Sequence, residues 1–236
     1  MTGRNWKIAL AGVAATGLAG LAAAQHLGDR GDRTTAPTSE GLRKVVGRSI
    51  ESPDARRSKV EIADAAFKYV GGHRFVLYGV ANAEQHVFAD ADDRGRIRRL
   101  YWVQFEGYLP SSHGRYDYSD SEATAQVSGV PFHADGGFRG GTSPPAAKGS
   151  DSAMVRRLIA DKGLHLPAEL LWQRLVWVDA SGRDELMVVY MEDLAGLGLA
   201  AADLGTGGDQ AARAAGIKAA LRERAAAGLR LASPAQ

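Results

Sequence analysis

The chain of 236 residues contains no cysteine. That excludes disulfides, a thiol nucleophile, a lipid-modified cysteine and every zinc site built on CxxC pairs. Charge of one sign is also lacking. Once Arg4 and Lys7 of the leader are set aside, 27 basic residues face 27 acidic ones. A balanced body does not suit a general nucleic-acid binder, whose affinity comes from matching phosphates with excess cations. Aromatic residues make up only 7% of the chain, so each one has to be placed.

Long apolar runs are missing everywhere except at the start. Ile8 to Ala24 is uncharged and small-residue-rich, behind Arg4 and Lys7, and no acid precedes Asp29. A basic start, an apolar middle and Ala22-Ala23-Ala24 are the three parts of an export signal, with cleavage expected between Ala24 and Gln25. Left uncleaved, residues 1–24 read as a weak single-pass anchor and the chain's membrane contact. Both readings put the folded body outside the cytoplasm, periplasmic or secreted. Arg4-Asn5 is not a twin-arginine pair.

Residues 25–58 read as a flexible linker, rich in Asp, Arg, Gly, Thr, Ser and Pro. Their far end is basic, with Arg43, Lys44, Arg48, Arg56, Arg57 and Lys59 within twenty residues. That is either a solvated face or a contact for an anionic surface. Residues 59–232 are the expected globular domain, of α+β class. Strand-like runs cover Phe67–Val70, Arg74–Val80 and Gln85–Ala89. Two long hairpins follow, one turning at Asp90–Gly95 and one at Asp179–Gly182. Between them residues 110–150 form a long loop with one strand-like piece, Ala125–Phe132. Ser150 predicts a capped helix over Asp151–Lys162, and an Ala-rich helix is expected near residues 209–229. The expected architecture is a single curved antiparallel sheet of about six strands, covered on one face by these two helices.

Strand alternation gives the sharpest chemical reading. Glu106 shares a face with Trp102 and Tyr108, where loss of water would suit a carboxyl to acid–base work. His86 could meet Glu106 across the sheet if their strands pair in register. The long loop carries His113, Tyr116, Asp117, Tyr118, His133 and Asp135. Of these His113, Asp117, His133 and Asp135 are the candidates for a metal, although no established metal motif is present and no metal is expected. Tyr116 and Tyr118 around Asp117 also suit a carbohydrate or partner contact. Asp90, Asp92, Asp93 and Gly95 fail the calcium-loop pattern, because Arg94 and Tyr101 stand where ligands belong. Gly196–Ala201 matches G-x-G-x-x-A without the helix and second strand of a dinucleotide site. No nucleophile elbow occurs, and no cofactor is implied.

Three roles fit. The first is a non-enzymatic module binding a small ligand or an envelope protein, with Tyr78, Trp102, Tyr108, Trp177 and Tyr190 as candidate pocket walls. The second is a hydrolase using Glu106 with His86 or with the Asp117 loop. The third is an envelope structural or assembly protein.

Overall fold

The structure is a computed structural model that describes residues 31–52, 59–140 and 143–232. The leader, its cleavage site at Ala24–Gln25, and Arg56 and Arg57 lie outside the described residues. Among the described residues no helix is long and apolar enough to cross a membrane.

The architecture is α+β, with two antiparallel sheets and few helices. The larger sheet contains β4 (Lys68–Leu77), β5 (Ala81–Ala91), β6 (Ile97–Tyr108), β7 (Ala123–Val127), β8 (Val130–Arg139), β9 (Leu170–Val178) and β10 (Asp184–Asp193). Their order across the sheet is β4-β5-β6-β10-β9-β8-β7. The smaller sheet is β1 (Lys44–Val46), β2 (Ser49–Glu51), β3 (Lys59–Ile62) and β11 (Leu229–Ala232), in chain order. The helices are α1 (Asp151–Asp161), the short α2 (Ala201–Leu204) and α3 (Ala214–Ala227).

The central strands are apolar on both faces, so both faces need cover. On one face Tyr101, Val103, Leu175 and Val188 pack under Leu221 and Ala225 of α3 and under Ile50, Val60 and Ile62 of the small sheet. On the other, Trp102, Val176, Met187 and Val189 pack under Val155, Leu158 and Ile159 of α1. The two helices therefore lie on opposite faces rather than sharing one. Ser150 caps α1 as its position predicts, its hydroxyl accepting from the Ala153 N–H at 3.1 Å.

Residues 31–52 are not a free linker. Gly47 turns a β1–β2 hairpin with φ 59°, and the Ile50 side chain it delivers is fully buried. The Thr38 and Arg74 backbones exchange bonds of 2.8 and 2.9 Å, tying the preceding segment to β4. Basic residues of the hairpin are engaged within the fold, Arg48 donating to the Ile62 carbonyl at 3.0 Å. Arg43 pairs with Glu84 at 2.7 Å and Lys44 with Glu51 at 3.3 Å.

The long loop is likewise shorter than expected. Ser128-Gly129, both at positive φ, make a two-residue hairpin turn between β7 and β8. Gly71-Gly72 does not break β4 either; the register shifts there and the strand continues.

Replacing Ile50 with Ala should lower stability by about 2–4 kcal/mol, the usual cost of emptying a buried aliphatic site. Urea denaturation reads this directly. A linker residue would leave the midpoint unchanged.

Candidate functional site

Register decides which polar side chains meet. On β6, Glu106 pairs with Ala83 of β5 on one side and with Glu185 of β10 on the other. Directly opposed residues of an antiparallel pair share a face. Glu106 and Glu185 therefore stand side by side on the face that α1 covers, and both are buried.

The segment after β6 crosses above them. Burial alternates along residues 111–119, so Arg115, Asp117 and Ser119 face outward while Tyr116 and Tyr118 face the sheet. Tyr116 donates its hydroxyl proton to Glu106 Oε1 at 2.8 Å. Tyr118 donates to Glu185 Oε2 at 2.8 Å. One strap thus places a phenol on each carboxyl of the pair. Its first half is tied by the Tyr116 N–H to the Gly182 carbonyl at 2.8 Å and by Arg183 to the Leu109 and Ser112 carbonyls at 2.8 and 2.9 Å. Tyr116 also stacks on Tyr108, with ring centres 4.6 Å apart.

A line of amides reaches Glu106 from the far edge of the sheet. His73 lies 2.7 Å from Gln85 Oε1, Gln85 Nε2 donates to Gln104 at 2.7 Å, and Gln104 Nε2 donates to Glu106 Oε2 at 2.6 Å. Gln85 Nε2 also donates to the Asp151 carbonyl at 3.0 Å. Since the Gln85 oxygen faces the imidazole, His73 Nε2 is the donor in that contact. Both oxygens of Glu106 therefore accept, as suits an ionised carboxylate.

Glu185 has one phenol donor, from Tyr118, to set against its burial and two neighbouring acids. Loss of water raises Glu185 well above the ordinary carboxylate range, and the Glu106 charge raises it further. Loss of water also pushes Glu106 up, to about 7. A third acid, Asp151 at the start of α1, is pushed up to about 6 by the same cause, although its position at a helix N-terminus favours the charge. Of the two, Glu185 keeps its proton to the higher pH, because the charge that forms first, on Glu106, opposes a second beside it.

The cation that acts on Glu185 already has an ion-pair partner, although its buried Nε–H has no hydrogen-bond partner among the described residues. Arg174 of β9 pairs with Asp135 of β8 at 2.5 Å and lays its guanidinium 5.1 Å from the Tyr118 ring centre. Asp135 also accepts from the Glu122 N–H at 3.0 Å and Ser121 Oγ at 3.1 Å. Above the strap lies an open hollow of about 330 Å³, walled by residues 115–119, by His133 and by the turn at residues 178–182.

The expected partnership of His86 with Glu106 does not form. His86 pairs with Val103, whose side chain points to the opposite face from Glu106. There His86 Nε2 lies 2.8 Å from Glu84 Oε1 and Nδ1 lies 3.1 Å from the Tyr69 hydroxyl. Gly72 allows that contact: a Cβ there would come within 2.8 Å of both the Tyr69 oxygen and His86 Nδ1. Arg43 donates to both Glu84 oxygens, at 2.6 Å from its N–H and 2.7 Å from Nη1, and helps hold that carboxyl below its ordinary range despite burial.

The metal candidates do not converge. His113 is exposed at one end of the strap and Asp135 is committed to Arg174, while Asp117 and His133 line the hollow. Among the described residues no group of three His, Asp or Glu side chains is placed to hold a metal ion. The proposed aromatic walls are scattered too. Trp102 faces α1, Tyr190 and Trp177 face α3 and the small sheet, Tyr78 sits in a separate small cluster, and Tyr108 stacks on the strap through Tyr116. Glu185 and Asp151 escaped the sequence reading. Glu185 opens a strand and Asp151 a helix, where acids are ordinary, so neither breaks its local pattern.

No family model, curated protein or solved structure matches this chain.

The raised acids set the sign of the pH dependence. The folded chain holds protons that the unfolded chain releases, so their stabilisation is complete below the ordinary carboxylate range. It is lost as pH rises through that range to about 6 for Asp151 and about 7 for Glu106. Glu84, Asp90, Asp135 and Asp179 are held low, so their contribution is complete above that range and is lost as pH falls through their folded values. Stability should therefore peak near about pH 4–5 and decline towards pH 8. Glu106→Gln should remove about 1–3 kcal/mol of that decline in urea titrations at the two pH values.

Proposed function

We propose that the chain is an extracytoplasmic module that binds a small polar ligand in the hollow above the strap. A saccharide is the chemistry that suits it best. Asp117, Arg115 and His133 offer a carboxylate, a guanidinium and an imidazole around the rim, and the tyrosines offer ring surface. The observation that carries the reading is the meeting of an open hollow with a strap whose two phenols rest on neighbouring acids. The leader supplies the compartment. A mature mass beginning at Gln25 in a soluble extracytoplasmic fraction supports export with cleavage. An intact start in membranes supports the anchored form, and a cytosolic protein removes the compartment.

Saturation-transfer NMR with a panel of mono- and trisaccharides tests the binding. Asp117→Ala should weaken any hit by about tenfold, the worth of one charge-assisted hydrogen bond. A panel that gives no transfer removes the saccharide.

A second reading, hydrolysis with Glu106 as proton donor, is favoured by one observation. Its carboxyl is pushed up to about 7, where a general acid works at neutral pH. Glu106→Gln would then retain the bound sugar and lose its cleavage. Equal binding without turnover in both forms leaves the module non-enzymatic.

A further inference from the structure

We propose that Glu106 and Glu185 are a proton-operated latch for the strap at residues 109–122: while one of the two neighbouring acids stays protonated the two phenols stay seated, and loss of that last proton releases the strap and opens the space beneath it. Strap residues 115–119 also wall the hollow, so release would dismantle that site, and in this respect the latch rests on the binding reading above.

The geometry supplies both halves of the device. Adjacent strands in register fix the two carboxyls side by side, and residues two apart on one extended segment deliver the two phenols. The groups facing the pair come from every packed element. Tyr108 lies on β6 and Asp151 on α1. Arg174 lies on β9, and Arg183 is at the start of the β10 hairpin arm. His73 reaches from β4 through the amide line. Of the two arginines, Arg174 is matched by Asp135, and Arg183 is spent on the carbonyls that anchor the strap. Loss of water lowers His73 below the ordinary imidazole range. A second negative charge on the pair therefore meets a third acid, and Arg174, the cation that acts on Glu185, already has Asp135 as its ion-pair partner.

Two effects compete when that charge appears. Ionisation strengthens a phenol–carboxylate hydrogen bond. It also buries an unpaired charge beside another, which costs several kcal/mol even after relaxation. The second effect is larger, and the cheapest relief is water entering under the strap. Arg183 on the Leu109 and Ser112 carbonyls holds one end and Asp135 on Ser121 and Glu122 holds the other, so the strap is a hinged flap rather than a free loop.

The absence of cysteine makes the test direct. Ser119→Cys places the chain's only thiol on the outward side of the strap, and a nitroxide attached there reports its motion. At about pH 5.5 the spectrum should show one slow component. A mobile component should grow only above about pH 7, once Glu106 is already ionised and Glu185 gives up its proton, its ratio to the slow one rising about tenfold per pH unit for release of a single proton. Glu185→Gln, permanently neutral, should stay slow at about pH 8.5, and Glu106→Gln should behave alike if the first variant folds poorly. Tyr118→Phe should be mobile already at about pH 5.5. Far-UV circular dichroism confirms that the body stays folded throughout. An unchanged spectrum across the range in a folded protein overturns the latch, as does a Glu185→Gln strap that opens like the unaltered one. The label needs no ligand, so a silent sugar panel leaves the latch standing, and a motionless label leaves the binding reading standing.

Discussion

Burial of β6 on both faces is the constraint from which the rest follows. It sits between β5 and β10, and its residues are apolar or aromatic on alternate sides. A strand of that kind has to be covered twice. One side takes α1 and the other takes α3 with the small sheet, so a body of modest length is built in layers around one strand. The β1–β2 hairpin belongs to this cover, which is why residues expected to be a tether hold a buried isoleucine.

The same constraint creates the site. Towards its end β6 keeps its alternation but changes chemistry, and Gln104 and Glu106 occupy positions that continue the row of Leu100 and Trp102. Polar groups in that row are sealed from water unless something bonds to them. Gln85, Gln104, Tyr116 and Tyr118 supply those bonds, but they are neutral. The acids are hydrogen-bonded without being charge-balanced, and a proton is the cheapest balance. The opposite face shows the contrasting solution. There Glu84 is buried with Arg43, and its carboxyl stays ionised.

Much of the secondary structure was legible in local patterns. The β9–β10 hairpin, the Ser150 cap and the apolar stripe of α1 fall where alternation, capping and helical spacing put them. The small-sheet hairpin and the β7–β8 hairpin were hidden. Each strand is short or polar on one side, and short runs gain their stability from neighbours that a linear reading does not see. Glu106 was legible because it interrupts an aromatic row. Glu185 was not, because an acid at a strand's start is unremarkable until register sets it against another acid.

Residue order alone determined the balanced body charge, the absence of thiol chemistry, the α+β class and the face of β6 on which Glu106 stands. These depend on composition and on the two-residue period of a strand, both of which are local. Only the tertiary structure decided that His86 and Glu106 are separated by the sheet, that the helices take opposite faces, and that Glu185, Asp151, Tyr116 and Tyr118 gather around one carboxyl. Those outcomes depend on strand order and register. Long-range packing sets both, and a shift of one residue would turn every side chain to the other face.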